Sequence, residues 1–362
     1  MTADAAFMRH ALALGVRGEG RVWPNPAVGC VIVQGNRVVG RGWTADGGRP
    51  HAETRALAQA GAAAKGATVY VTLEPCAHYG QAPPCADALA AAGVARVVVP
   101  IEDPDPRVAG QGLARLRAAG VAVETGCLAA ETFRAHRGFL SRIRRGRPSV
   151  TLKLAASLDG RIATASGESR WITSEYARRA VHAMRMRHDG VLIGAGTARA
   201  DDPSLNVRDL GADRQPVRIV VSRLLNLPWP SRLAESMSEG LVWLAHGPEA
   251  GEAGDKWRGA GAILIEIPVA DGQLILLSLM EKLGESGITR LLCEGGGALA
   301  ASLLSAGLVD DIALFNAGLA LGAEGRPALG ALGLATLADA PRFRLVEARA
   351  VGNDVLQVWS RD

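Results

Sequence analysis

Apolar residues recur along this chain in short blocks whose period changes, and each change marks an element. Val28-Gly29-Cys30-Val31-Ile32-Val33 is a continuous apolar run between Pro24-Asn25-Pro26 and a Gly35-Asn36 turn, so it reads as a strand. A second strand follows over 37–42. Upstream, Thr2 stands where a helix cap belongs, before a helical pattern that runs to about Gly15. A helix over 52–63, a β-branched run from Thr68 to Leu73, a helix from Pro84 and a strand over 94–100 come next. A helix over 112–119 and a strand over 121–124 complete an α/β alternation. Between Phe133 and Pro148 the pattern breaks: Arg134, Arg137, Arg142, Arg144, Arg145 and Arg147 crowd one stretch. It reads as a basic linker after a last helix, with a domain boundary at 146/147.

The second half opens with an apolar strand, Ser149–Ala155, interrupted by one lysine, Lys153. Burying that ammonium costs free energy unless it is paired or functional. A turn at Asp159-Gly160 leads to a short strand. A helix over 174–187 carries Glu175 at its start and Arg185, Arg187 and His188 at its end, matching the helix dipole. Val191-Leu192-Ile193 runs into Gly194-Ala195-Gly196-Thr197, and Leu291-Leu292-Cys293-Glu294 runs into three glycines and an Ala/Leu helix. Such strand-to-glycine-to-helix transitions suit a dinucleotide's phosphates, although tight turns are the competing explanation. Neither is a G-x-G-x-x-G with an acidic residue some 20 positions on. Strands are also expected at 217–221, 241–245 and 262–267, a helix at 274–283, and antiparallel edge strands at 311–315 and 343–359.

Composition narrows the class. A chain of 362 residues, 48% hydrophobic and 21% charged, reads as soluble and globular, with enough length for two cores. The net charge of +4 is small for this size and does not call for nucleic acid. No apolar run approaches membrane-spanning length, and Arg9 and His10 interrupt any secretory signal. Five cysteines is an odd number, which argues against a disulfide framework, and a reducing cytoplasm fits.

The chemistry lies in His51-Ala52-Glu53 and in Glu74-Pro75-Cys76 through Pro83-Pro84-Cys85. One imidazole and two thiolates are the three protein ligands of a catalytic zinc site, which leaves its fourth position open. The carboxylate two residues after the histidine is placed as the proton shuttle of zinc deaminases, whose signature is H-x-E…P-C-x-x-C. Here eight residues separate the cysteines instead of two. Positions i and i+2 of a helix point about 200° apart, so His51 belongs at a helix cap and Glu53 in its first turn. A structural zinc knuckle would need a fourth ligand, and His78, the nearest spare histidine, lies inside the loop. Asn25 is either an amide facing the metal pocket or a turn residue between two prolines.

Several stretches together resemble the bifunctional pyrimidine deaminase/reductase family of riboflavin biosynthesis. They are Pro24-Asn25-Pro26 with Val28-Gly29-Cys30, the two zinc motifs with His78 and Gly80, Lys153 through Ser157-Leu158-Asp159-Gly160, Asp201-Asp202-Pro203 and Glu294-Gly295-Gly296. The resemblance implies an α/β chain with a cytidine-deaminase-like three-layer domain over 1–146. A dihydrofolate-reductase-like domain would follow over 147–362. The first would deaminate a diaminopyrimidine ribosyl phosphate; the second would reduce its ribosyl group to ribityl with NADPH. His51, Cys76 and Cys85 would hold Zn2+, Glu53 would shuttle protons, and Asn25 and His78 would meet substrate. Lys153 would lie near the sugar carbon that accepts hydride. Ala155, Trp171, Thr197, Asp201, Gly296 and Gly297 match cofactor positions. Ser169, Arg185, Leu205, Arg208 and Glu294 match substrate positions, the two arginines suiting a phosphate.

The chain departs from the family pattern at Thr44, at Gln81-Ala82, at Ser222-Arg223 and at Asn316-Ala317-Gly318. Arg223 is expected to grip the cofactor's 2′-phosphate. The family further implies a cytoplasmic homo-oligomer acting on a small molecule, without a nucleic-acid or membrane partner. Two rivals are a deaminase acting on structured RNA and a non-catalytic regulator. Only Phe133 and Phe139 interleave the basic stretch, too few for base stacking, and the intact Glu53 argues against a regulator.

Overall fold

Side chains of β1 (Gly29–Gln34) alternate between two buried faces, with Cys30 and Ile32 in one apolar cluster and Val31 and Val33 in another. A strand covered on both sides must be the middle of a layered unit. The computed structural model, which describes residues 2–79, 83–106 and 108–361, divides into two compact units, Met1–Gly146 and Arg147–Asp362. In the first, β2 (Arg37–Trp43) and β3 (Thr68–Val71) pair antiparallel with β1. Then β4 (Arg96–Val99) and β5 (Ala122–Thr125) continue parallel to β3, giving the order β2-β1-β3-β4-β5.

One face of this sheet packs against α1 (Ala3–Gly15), whose Thr2 cap accepts the Ala5 N–H. The other face holds α2 (Ala52–Ala60), α3 (Cys85–Ala91) and α4 (Gln111–Ala118) through Ala52, Ala56, Leu89, Leu113 and Leu116. These are the three layers expected.

The basic linker is overturned. All of residues 133–145 but His136, the turn between them, belong to two helices, α5 (Ala129–Ala135) and α6 (Arg137–Arg145). Phe139 and Leu140 are buried in the main core and Ile143 packs against it, while Arg134, Arg144 and Arg145 are exposed and Arg137 and Arg142 half-buried. Arginine is a good helix former, and one apolar face is enough to dock a helix. Gly146, left-handed, ends α6 and the first unit, and the next strand begins three residues later at Ser149. A smaller correction concerns Pro84: it is the cap of α3, and Cys85 is the first helical residue.

The second unit is built on a nine-stranded sheet. Its strands are β6 (Ser149–Ala156), β8 (Gly190–Gly194), β9 (Val217–Val221), β10 (Val242–His246), β11 (Ile263–Glu266), β14 (Arg290–Cys293), β15 (Asp311–Asn316), β17 (Arg344–Val351) and β18 (Asp354–Ser360). Their order is β11-β10-β9-β8-β14-β6-β15-β18-β17, parallel from β11 to β15, with β18 and β17 antiparallel. The short strands β7 (Arg161–Ala163) and β16 (Arg326–Pro327) pair with each other, as do β12 (Val269–Ala270) and β13 (Gln273–Leu274). Helices α7 (Glu175–Met186), α8 (Ala195–Asp201), α9 (Arg232–Glu235), α10 (Gly251–Gly259), α11 (Leu276–Glu285) and α12 (Gly297–Ser305) fill the connections.

The strand over 311–315 is not an edge: β15 lies between β6 and β18, and β17 is the edge. Asp311, Ile312, Leu314 and Asn316 are half-buried and Ala313 and Phe315 buried, by neighbours that the local pattern does not reveal. His188 also departs from expectation. Burial pushes its imidazole down to about 3, so it serves α7 as a neutral hydrogen-bond partner of the Met184 carbonyl and not as a charge.

Candidate functional site

His51 caps α2 in an extended conformation, which lets Glu53 turn inward from the first helical turn, where it is buried. The loop after β3 brings Cys76 to the same place, and the start of α3 brings Cys85. His51 Nδ1 lies 3.6 Å from Cys76 Sγ and 3.3 Å from Cys85 Sγ, and all three donor atoms fall within 4.8 Å of one another. Zn–S and Zn–N bonds of about 2.3 and 2.0–2.1 Å in a tetrahedron place N and S donors about 3.6 Å apart, so the three residues fit zinc. The Cys85 N–H donates to Cys76 Sγ at 3.3 Å, as the start of a helix does for a thiolate.

Electrostatics agree with a cation site. The Cys85 thiol and the His51 ring, by hydrogen bonding, hold the Cys76 thiol down to about 4 against its burial, while Cys85 is pushed up. Burial raises the Glu53 carboxyl to about 7, against the attraction of His51. A group poised there can both take and give a proton near neutrality.

Behind the loop stands a residue whose role local pattern did not disclose. Glu74 is buried, and its carboxylate accepts four main-chain N–H groups: Asp103 (3.1 Å), Gly110 (2.9 Å), Gly112 (2.9 Å) and Leu113 (3.2 Å). It thereby caps the start of α4 from the zinc loop. A Cβ on Gly112 would stand 2.0 Å from the Pro75 carbonyl oxygen, so only glycine allows this approach. Its partners lie 29 to 39 positions away, beyond the reach of motif spacing.

The remaining first-unit candidates are placed as follows. Asn25 packs its amide against Gly48, in the loop that precedes His51. His78 is half-buried, with a buried Nδ1 that has no protein partner. Thr44 is buried and structural: it donates to the Pro26 carbonyl and accepts the Val28 N–H, each at 3.0 Å. Gln81 and Ala82, with Gly80, lie outside the described residues.

In the second unit the candidates gather at the carboxyl ends of parallel strands, where open α/β sheets bind ligands. Thr197, on the first turn of α8, accepts the Gly296 N–H at 2.8 Å, so the two glycine turns meet. Their glycines differ in purpose. A Cβ on Gly196 would meet nothing, whereas on Gly297 it would meet the main chain of 327–330 at 3.2 Å. A side chain at Gly297 would therefore need that main chain to give by a few tenths of an ångström. Trp171 is exposed, lies under the Arg178 guanidinium at 4.4 Å, and follows Arg170, which donates to the Asp201 carbonyl at 3.1 Å. Ser169 and Ala155 are half-buried.

Arg185 pairs with another candidate, Glu294. Its Nε and one terminal nitrogen grip Glu294 at 2.6 and 2.9 Å, and another N–H donates to the Asn206 carbonyl at 2.8 Å. Burial works to raise the Glu294 carboxyl, but Arg185 outweighs it and holds the group below its usual range. The exposed Arg208 donates from its side chain to the Ser204 hydroxyl at 3.2 Å. Leu205 buries its side chain in the core, leaving its main chain for contact. Lys153 is half-buried; burial lowers its ammonium, opposed by Glu294. Arg223 follows β9 and pairs with Glu249 at 3.4 Å, both partly exposed. Asn316 donates to the Ser157 carbonyl at 3.3 Å.

Comparison with known proteins agrees with both halves. Residues 1–101 match the cytidine and deoxycytidylate deaminase zinc-binding region, and residues 148–357 match the RibD C-terminal domain. The riboflavin biosynthesis protein RibD of Escherichia coli strain K12 is 45% identical over 97% of this chain and 98% of its own. A solved RibD structure from Acinetobacter baumannii is 39% identical, with a TM-score of 0.88, covering 99% of this chain and 98% of that one. A Thermotoga maritima structure, described as a diaminohydroxyphosphoribosylaminopyrimidine deaminase/5-amino-6-(5-phosphoribosylamino)uracil reductase, is 32% identical with a TM-score of 0.86, covering 99% of this chain and 98% of that one. A zinc-fitting deaminase unit and a reductase unit in one chain, matched along nearly its whole length, have one reading: the chain belongs to the RibD family of bifunctional riboflavin-biosynthesis deaminase/reductases.

Proposed function

We propose that residues 1–146 deaminate 2,5-diamino-6-(5-phosphoribosylamino)pyrimidin-4(3H)-one by hydrolysis, and that residues 147–362 then reduce the ribosyl group to ribityl with NADPH. The observation that carries this reading is the buried Glu53 beside three converging zinc donors, His51, Cys76 and Cys85. Zinc, when bound there, supplies a water activated at neutral pH. Glu53 takes a proton from the attacking water and delivers it to the departing amine, which leaves as ammonia. Asn25 and His78 orient the pyrimidine, His78 through a nitrogen that has no protein partner.

In the second unit NADPH, when bound, supplies the hydride. Thr197, Asp201, Trp171, Ala155 and the Gly296-Gly297 turn hold the cofactor at the strand ends, and Arg223 grips its 2′-phosphate. Arg208 binds the substrate phosphate. Ser169 and the Leu205 main chain border the sugar. The Arg185–Glu294 pair sets the field in which Lys153 meets the opened sugar. The enzyme is further read as a cytoplasmic homo-oligomer. Five unpaired cysteines support the compartment, and the edge strand β17, with Leu345 and Val346 exposed, supports a second copy. Among the described residues no helix is long and apolar enough to cross a membrane.

The test is Glu53→Gln. Ammonia release from the diaminopyrimidine is expected to fall by at least about a thousandfold, at least 4 kcal/mol of barrier. Zinc content and the reduction of supplied deaminated intermediate stay at wild-type level. Loss of zinc in this variant would show that Glu53 is a ligand and not a proton carrier.

A further inference from the structure

At the β2 edge of the first unit lies a cavity of about 490 Å3 whose polar lining is His10 from α1, Arg17 just after it, Arg41 and Trp43 from β2, and Arg55 and Gln59 from α2. No zinc-site residue lines it, and no carboxylate does. Three guanidiniums around one opening repel one another, and among the described residues none of the three pairs with an acidic side chain. Such a concentration of one charge sign raises the local concentration of anions.

Two of the arginines are also held in place. Arg17 and Arg55 both stack on the Trp43 ring, at 4.7 and 4.0 Å from its centroid. Arg55 further donates to the Trp43 carbonyl at 3.3 Å, and Gln59 is itself fixed at the rim by accepting the Arg41 main-chain N–H at 2.6 Å. Stacking and main-chain bonds remove part of the freedom that an arginine would otherwise lose on binding. Burial together with Arg41 and Arg17 lowers the His10 pKa, so at pH 7 it offers a neutral hydrogen-bonding edge.

We propose that this cavity is a binding site for a small phosphate-bearing anion, distinct from the two catalytic centres. Guanidinium forks match phosphate oxygens two at a time, and the volume suits a diphosphate or a sugar phosphate. The Trp43 ring is already covered by arginines, so the site selects the phosphate and not an aromatic base. Arg55 and Gln59 lie on the helix whose first turn carries Glu53, so occupancy bears on the same helix that positions the deaminase carboxylate.

The experiment is calorimetric titration of the full-length zinc enzyme, with its reductase site saturated by NADP+, using inorganic pyrophosphate in one arm and ribose 5-phosphate in the other. The wild-type chain is expected to bind at least one of them at a site that the Arg17→Ala/Arg41→Ala double variant weakens at least tenfold. Arg41→Lys, which keeps charge but not the fork, should lose part of that affinity, and Arg208→Ala should leave this site unchanged. Tighter binding of ribose 5-phosphate identifies a sugar phosphate as the occupant, and tighter or equal binding of pyrophosphate a free phosphate. Zinc content and basal deamination of the double variant, expected at wild-type level, show that it is folded. A folded double variant that titrates like wild type, or a wild-type chain that binds neither probe, overturns the proposal.

Discussion

Lys153 is the one cation on β6, a strand whose other side chains are apolar or small. Its neighbours in charge are Glu294 and Asp201, which favour the ammonium, and Arg185, which opposes it. A structural lysine would find a direct carboxylate partner, but Glu294 is already gripped by Arg185, so Lys153 is left for substrate. Lys153→Ala is therefore expected to lower reductase kcat by about a hundredfold or more and to spare ammonia release. A change under about threefold, less than 1 kcal/mol of barrier, would return Lys153 to a structural role. Arg223 presents the opposite case, an exposed side chain in a loose pair with Glu249. Exposed pairs contribute about 0–1 kcal/mol, so Glu249 gives up the guanidinium to a phosphate at little cost. Arg223→Ala should raise KM for NADPH at least about tenfold, some 1.4 kcal/mol, and leave KM for NADH almost unchanged. Equal weakening toward both cofactors, or no change toward either, would mean that Arg223 does not read the phosphate.

Elements, and not only residues, build the zinc centre: a helix cap, a loop and a second helix start each bring one ligand. What fixes the loop is Glu74, whose four accepted N–H groups tie it to the start of α4. Groups that hold ligands from behind typically govern metal affinity by 10–100-fold. Glu74→Gln keeps the shape but turns an amide toward main-chain donors, so zinc should bind about 10–100-fold more weakly in a chelator competition, with reductase rates unchanged. Unaltered zinc affinity would confine Glu74 to stabilising α4. His51, Glu53, Cys76 and Cys85 were legible because their spacing is local and their chemistry rare. Glu74's task was not, because its partners are main-chain groups from another segment. The same holds for the Arg185–Glu294 pair, whose members lie 109 positions apart. The helices α5 and α6 were hidden for another reason: arginines dominate the stretch by number, and only Phe139, Leu140 and Ile143 mark the buried face.

At the scale of the whole chain, each chemistry stays within one unit. The three zinc donors and Glu53 belong to Met1–Gly146, and every candidate for cofactor and reduction belongs to Arg147–Asp362. Order of elements along the sequence was enough to foresee this division, because parallel sheets with helical crossovers are built from consecutive segments. The first unit also does not depend on metal for a core. Its sheet is buried on both faces by apolar side chains from β1, β3 and β4 and from five helices, α1, α2, α3, α4 and α6, unlike small domains that fold only around zinc. Chelation is therefore expected to remove catalysis without unfolding the chain. After treatment with a strong chelator, ammonia release should vanish and return when zinc is restored. NADPH oxidation with supplied deaminated intermediate should proceed at its former rate, and the far-ultraviolet circular dichroism should be unchanged. If chelation slowed both reactions together, zinc would serve the second unit as well, and the assignment of one chemistry to each unit would fail.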